Sequence, residues 1–315
     1  MNPNLKSAVA AVVLALSFSA PAAAGPADGA AAAPVEDAVA ALNRSDDATA
    51  LRLFRPLAEK GNARAQFNLG FMYANGRGAA KDFAEAMKWY RLAADQGFAA
   101  AQHNLGIMYA NGQNTAPDHV EAVKWYRLAA NQGFAKSQNE LGYDYAQGRG
   151  VPQDTELALK WYRAAADQGE AGAQLNLGTL HVTGQGVPKN NPEALKWFRL
   201  AADAGNAGAQ FNLGLMYANG LGVAKDPAEA AKWWRLAADQ SYARAQLNLG
   251  TLYATGQGVP EDKVHAYLWF SLAVARDDAT ALNYRNRLAQ DMSPAQIAEA
   301  QKRAREWKPT VQAPR

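Results

Sequence analysis

A Leu-Gly pair returns six times at a spacing of 36 residues, at Leu69-Gly70, Leu105-Gly106, Leu141-Gly142, Leu177-Gly178, Leu213-Gly214 and Leu249-Gly250. A tryptophan keeps the same interval with no insertion, at Trp89, Trp125, Trp161, Trp197, Trp233 and Trp269. A fixed period of this size implies stacked supersecondary units, each unable to bury its apolar face without a neighbour. Length alone would suggest two domains. The unbroken repeat predicts one elongated domain instead.

Residues 62–97 show how one unit is built. A first helix is predicted over about 63–74, because Ala65, Leu69 and Tyr73 recur every fourth residue. A second begins after Asp82 and carries Ala86, Trp89, Tyr90 and Ala93 on one apolar face. Asp82 with Glu85 makes a capping-box-like start, since each side chain can accept a backbone N–H left unpaired in the first turn. Asp118/Glu121, Asn190/Glu193 and Asp226/Glu229 repeat it, the last with Pro227 at the first helical position. Gly97, Gly133, Gly169 and Gly205 follow the second helix and suit its left-handed end. The glycine after each core leucine costs about 1 kcal/mol relative to alanine inside a helix. Its return in every copy predicts that the second helix approaches too closely for a Cβ.

Leu69-Gly70-x-x-Tyr73 followed by Ala86-x-x-x-Tyr90-x-x-Ala93 resembles the signature of tetratricopeptide helix pairs. The 36-residue unit, the inner loop Asn75-Gly76-Arg77-Gly78 and the run Lys88-Trp89-Tyr90 depart from that family and resemble the Sel-one-like repeat family, over roughly residues 46–307. The resemblance implies an all-α fold, a right-handed α-solenoid of antiparallel helix pairs forming a tetratricopeptide-like superhelix, used as a protein-binding scaffold. Periodicity by itself implies only stacked helix pairs.

The flanks differ from the array. In residues 1–24, Lys6 precedes the apolar run 8–16 and Ala22-x-Ala24 supplies small residues for signal peptidase, so a signal peptide cleaved after Ala24 is expected. The run falls short of the ~20 residues a membrane span needs. The expected mature chain is periplasmic or secreted, with no membrane insertion. Residues 25–34, rich in Ala, Gly and Pro, read as a linker. Residues 35–61 read as a degenerate capping helix pair, with Leu53 at the tryptophan position. Six repeats fill 62–277. In 278–307, Arg285-Asn286 stands where Leu-Gly is due, and Ser293-Pro294-Ala295-Gln296 restarts a helix, as a C-terminal cap should. Residues 308–315 form a tail.

Hydrophobic residues are 49% and charged residues 19%, which supports a continuous core. The formal net charge of +3 loses only Lys6 with the leader, too little to imply nucleic acid or an anionic membrane as partner. With no cysteine, the chain has neither disulfides nor a lipoprotein anchor to rely on.

Candidate chemistry is sparse. Gly-x-Gly occurs at Gly76/Gly78, Gly148/Gly150, Gly184/Gly186, Gly220/Gly222 and Gly256/Gly258, without the strand or the Lys-Ser/Thr of a phosphate loop, and reads as a tight turn. Asn114 replaces the second glycine in repeat two, as its tolerance of the left-handed region permits. His103, His119, His181 and His265 share no metal-binding spacing. No serine begins a Ser-x-x-Lys: Ser137 leads to Glu140, Ser271 to Val274 and Ser293 to Gln296. No catalytic residue, cofactor or metal ion is therefore expected. The runner-up, a cell-envelope hydrolase or a peptidoglycan- or β-lactam-binding protein, comes from cysteine-rich secreted members of the resembled family, whose disulfide framework is missing here.

Recognition can be encoded only where the copies diverge, and they diverge most on the first helix. One series is Arg64, Ala100, Lys136, Gly172, Gly208, Arg244; another is Phe67, His103, Asn139, Leu175, Phe211, Leu247; a third is Phe71, Ile107, Tyr143, Thr179, Leu215, Thr251. These positions share a face opposite the packing stripe. By resemblance to tetratricopeptide arrays, that face lines a concave groove. Beside them runs a ladder of Asn68, Asn104, Glu140, Asn176, Asn212 and Asn248, whose amides could hold an extended main chain or, alternatively, bond a neighbouring helix. The candidate partner-binding residues are Arg64, Phe67, Asn68, Phe71, His103, Asn104, Lys136, Asn139, Glu140, Tyr143, Asp144, Asn176, Phe211, Asn212, Arg244 and Asn248. A protein or peptide partner and a monomeric chain are expected. A polysaccharide would instead use Phe67, Phe71, Tyr143 and Phe211 as exposed aromatics.

Overall fold

The computed structural model describes residues 29–276 and 278–310, so the leader read at 1–24 lies outside the described residues. Every element among them is a helix: α1 (Gly29–Asn43), α2 (Asp47–Glu59), α3 (Ala63–Asn75), α4 (Phe83–Asp95), α5 (Ala99–Asn111), α6 (His119–Asn131), α7 (Ala135–Gln147), α8 (Thr155–Ala166), α9 (Ala171–Thr183), α10 (Asn191–Asp203), α11 (Ala207–Asn219), α12 (Pro227–Asp239), α13 (Ala243–Thr255), α14 (Lys263–Val274), α15 (Ala279–Ala289) and α16 (Pro294–Glu306). They fall in two compact units, α1 to α7 ending at Asp154 and α8 to α16 beginning at Thr155. Within each unit consecutive helices pack on one another up to α15, as α3 does on α4 and α4 on α5, or α9 on α10 and α10 on α11.

Local chemistry sets the helix ends. Asp82, Asp118, Asn190 and Asp226 each accept first-turn N–H groups at the start of a second helix, as expected, but Glu85, Glu121 and Glu229 do not close a capping box and accept instead from the Nε1 of Trp89, Trp125 and Trp233. Gly76 ends α3 at φ 69°, and Asn114 adopts φ 70° where other repeats use glycine. α1 differs from expectation. It begins at Gly29, inside the stretch read as a linker, because the alanine-rich sequence there favours helix more than Pro34 opposes it.

The close approach predicted for the second helix is present. A Cβ on Gly106 would lie 2.5 Å from Tyr126 Cε1, and one on Gly70 would lie 2.8 Å from Tyr90 Cδ1. The rings of Tyr90, Tyr126, Phe198, Trp234 and Phe270 therefore rest directly on the glycine backbone of their partner helices.

Two polar devices, invisible in the apolar pattern, join one repeat to the next. Buried Gln66 donates through Nε2 to Ala58 O of the preceding pair at 3.1 Å and accepts from Gln96 Nε2 at 2.7 Å. Gln102 with Ala94 and Gln132, and Gln210 with Ala202 and Gln240, repeat the arrangement. Where the donor position holds Ala204, Gln174 bonds Ala166 O but its Oε1 is buried without a partner. Ala204→Gln should supply the missing donor and stabilise the chain by about 1 kcal/mol; an unchanged or lower urea midpoint would show that the clip contributes nothing. In the second device, Arg55, Arg91, Arg127 and Arg199 each donate to the tyrosine hydroxyl of the next first helix, Tyr73, Tyr109, Tyr145 and Tyr217. Arg91 and Arg199 also lie over the following tryptophans, Trp125 at 4.7 Å and Trp233 at 5.0 Å.

At the C-terminal end α15 still packs on α14, but buries only Ala281 and exposes Leu282 and Tyr284. α16 starts with a full capping box between Ser293 and Gln296 and returns to cover α14. Trp307 closes that end, edge-on to Trp269 at 6.2 Å.

Candidate functional site

The face of the first helices where the repeats diverge is the natural candidate. Several of its residues turn out to be structural. Phe67 is buried against Tyr90 and Phe98, with ring centroids 5.8 and 5.2 Å away. Phe71 and Phe211 are also buried, and Phe211 packs on Tyr242 at 5.2 Å. Of the four aromatics a polysaccharide would need, only Tyr143 is exposed.

His103 is likewise a core residue. It lies against Tyr126 and Phe134, and its Nδ1 is 2.9 Å from the hydroxyl of Ser137, which replaces a buried alanine of the neighbouring repeats. Burial, helped by the charge of Lys136, lowers the imidazole pKa to about 3. The ring is neutral at physiological pH and cannot act as a charged anchor.

A pairing across repeats explains this series. Where the first helix carries Phe67, His103 or Phe211, the residue that begins the next first helix is Phe98, Phe134 or Tyr242, and none of these caps with its side chain. Where it carries Asn139, Leu175 or Leu247, that residue is Glu170, Asn206 or Asp278, and each accepts a first-turn N–H. The position offers either a ring contact or a cap. Variation that looks like recognition is thus alternation between two solutions to one seam, a signal readable by comparing residues 31 apart.

Asp144 is a further correction. It occupies the position held elsewhere by Met72, Met108, Leu180, Met216 and Leu252, all buried, so it belongs to the packing face and not to the divergent one. It is 4% exposed, and Oδ2 has no hydrogen-bond partner. Burial chiefly, and the charge of Glu140 one turn earlier, raise its pKa to about 7 against the opposing charge of Arg149. Burial, with Glu140 and Asp144, also raises the Tyr126 phenol.

The ladder is divided too. Asn68 Nδ2 donates to Arg64 O of its own helix at 2.8 Å. Asn104 is buried beside the Tyr90 hydroxyl; that hydroxyl makes no hydrogen bond of good geometry, yet Asn104 opposes the rise that burial causes in its pKa. Arg64 pairs with Glu36 at 2.5 Å.

What stays accessible clusters on α7. Tyr143 is 39% exposed, with the Arg149 guanidinium 5.4 Å from its ring centre and an Arg149 nitrogen 3.2 Å from the His119 ring. Lys136, Asn139 and Glu140 on the same helix are half-buried. In the second unit Arg244 is exposed, while Asn176, Asn212 and Asn248 are half-buried. Among the described residues no group of His, Cys, Asp and Glu could hold a metal ion, and no helix is long and apolar enough to cross a membrane.

Six consecutive stretches, residues 63–98, 99–134, 135–170, 171–206, 207–242 and 243–278, match the Sel1 repeat family. Among solved structures, a Sel1 repeat protein from Oxalobacter formigenes is 32% identical, with 76% of this chain and 96% of that chain covered at a TM-score of 0.71. The protective antigen c5321 of uropathogenic Escherichia coli, which displays an SLR fold, is 29% identical over 89% of this chain and 84% of that chain, at a TM-score of 0.38. No curated protein matches the chain. With its stacked helix pairs and six matched repeats, the chain belongs to the Sel1 repeat family, α-solenoid proteins that mediate protein–protein interaction.

Proposed function

We propose that this chain is an exported, non-catalytic scaffold that holds a protein or peptide partner on the exposed part of its first-helix face. The observation that carries the reading is Tyr143: a large ring left 39% exposed on α7, braced by Arg149, among the half-buried Lys136, Asn139 and Glu140. Interfaces concentrate their energy in a few such aromatic and charged anchors. Lys6, the apolar run 8–16 and Ala22-x-Ala24 support export. The absence of Ser-x-x-Lys from the sequence argues against the envelope-hydrolase alternative.

The test is affinity capture. The mature chain, expected to begin at Gly25 by intact mass, is used to recover its partner from an envelope fraction of the natural host. Tyr143→Ala with Glu140→Ala should weaken that binding about tenfold or more, since each anchor contributes ~2 kcal/mol on truncation. Helicity and melting should hardly change. Lys160→Ala, exposed on α8 over the Trp161 ring, is the control. Weakening by the control alone would move the site to the second helices.

A further inference from the structure

The second helices carry a face that the packing leaves open. Residues four and then three apart lie on one stripe of a helix. In the first unit that stripe reads Lys88, Leu92, Asp95 on α4 and Lys124, Leu128, Asn131 on α6, every member exposed. Leu92 and Leu128 keep 42% and 47% of their surface in water, and Val120, one turn before Lys124, keeps 56%. The two rungs are neighbours, since Arg91 of α4 reaches over the Trp125 ring of α6 at 4.7 Å.

At the end of the array the same stripe is covered. Leu268 and Leu272 of α14 take the positions of Lys88 and Leu92, and α16 packs on α14 there. Ala304 and Trp307 join the cluster that contains Leu268, and Ile297 and Ala300 the one that contains Tyr267 and Val264. Leu268 is only 6% exposed as a result. This face of a second helix is therefore able to seat another helix. α16 and Thr310, whose N–H donates to Asp239 O at 2.8 Å, stand beside the matching stripe of Leu200 and Leu236 in the second unit. Among the described residues, nothing covers Leu92 and Leu128 in this way.

The charges decide what fits the open stripe. Lys88 lies on one side of the leucines, and Asp95, which enters no ion pair among the described residues, lies on the other. Arg91 and Arg127 are turned to the next repeat, bonded to the Tyr109 and Tyr145 hydroxyls. Glu85 and Glu121 hold Lys88 and Lys124 only through exposed pairs, which are weak and easily shared. A two-fold axis running from α4 to α6 lays a second stripe on the first in reverse order, so that leucine meets leucine and Lys88 meets the partner's Asp95. An axis parallel to the helices would set lysine against lysine. We infer that the stripe of α4 and α6 docks on the same stripe of a second copy of this chain, antiparallel helix on helix. Two rungs a side fall short of the ~1,200 Å² of a stable complex, so the dimer is reversible, with a Kd of roughly 10–100 µM. The monomer expected from the sequence is its dissociated form.

Sedimentation velocity of the full chain, from about tenfold below to tenfold above that Kd, should show a monomer passing into a dimer. Leu92→Gln with Leu128→Gln should weaken the dimer about tenfold or more, with melting nearly unchanged because both side chains already meet water. Lys88→Asp should weaken it too, and adding Asp95→Lys, which inverts the order but keeps the charges complementary, should restore it. Tyr143→Ala should leave it as it was, so this inference and the first-helix reading fail separately. A dimer that ignores Leu92 and Leu128, or is lost instead on Leu200→Gln with Leu236→Gln, would overturn the inference, as would a double charge exchange that restores nothing. A chain that stays monomeric throughout also overturns it, and if the Leu92/Leu128 pair then releases a captured protein, the face belongs to that protein.

Discussion

Gly106→Leu should be the most damaging single substitution in the first unit. A Cβ there would sit 2.5 Å from Tyr126 Cε1 and 2.6 Å from Cδ1, and the ring is buried with no room to retreat. Overpacking a close-packed site costs about 1–3 kcal/mol. A leucine must displace the whole ring, and the seam with it, so a loss of at least about 3 kcal/mol is expected. Gly106→Ala should cost less, because alanine recovers about 1 kcal/mol of helix propensity. Urea melts of the two variants check this, and a leucine variant as stable as the parent would refute the close-approach account.

The second large effect runs in the opposite direction. Asp144 places a carboxyl at a position that Met72, Met108, Leu180, Met216 and Leu252 fill with apolar side chains. Its pKa rises from 3.8 to about 7 in the folded chain, so between those values the folded state holds a proton that the unfolded state has released. Stability must then fall as pH rises from about 4 to about 7, and level off above. At about 1.4 kcal/mol per pKa unit, the penalty reaches the order of 4 kcal/mol at pH 8. Asp144→Leu should remove it, giving a variant much more stable than the parent at pH 8 and only slightly so near pH 4. An equal gain at both pH values would mean that the carboxyl titrates normally.

How far the sequence could be read follows from the distance over which each signal acts. The ends of α3 and α4 were legible within a residue or so, because a cap or a left-handed residue acts inside one turn. The role of Gly106 was legible because its cost had to be offset by something the whole array shares. Burial of Phe67 and His103 was not, since a face opposite one packing stripe still meets the next repeat. Periodicity within a helix does not record that contact; the pairing of Phe67 with Phe98 does, 31 residues away. Asp144 was misplaced for a different reason. Its polarity suggests the surface, whereas its register with Met72 and Met108 puts it in the core. Of the candidate site, Tyr143, Asn212 and Asn248 are exposed or half-buried and make no hydrogen bond among the described residues.

The seam pairs have one more property. Phe67 and Phe98 lie within the same matched stretch, 63–98, as do Gln66 and the Gln96 that donates to it, and His103 and Phe134 share 99–134. A segment cut at those boundaries carries both halves of its ring contact and of its glutamine pair, while the arginine clip, as from Arg91 to Tyr109, crosses the boundary and is remade by any following repeat with a tyrosine there. Gene duplication or deletion in this frame would change the number of repeats without leaving a ring unmatched or an amide stranded; a cut one helix out of frame would separate them. The array's length is thus free to drift over evolutionary time, while each ring contact and each glutamine pair is inherited as a block.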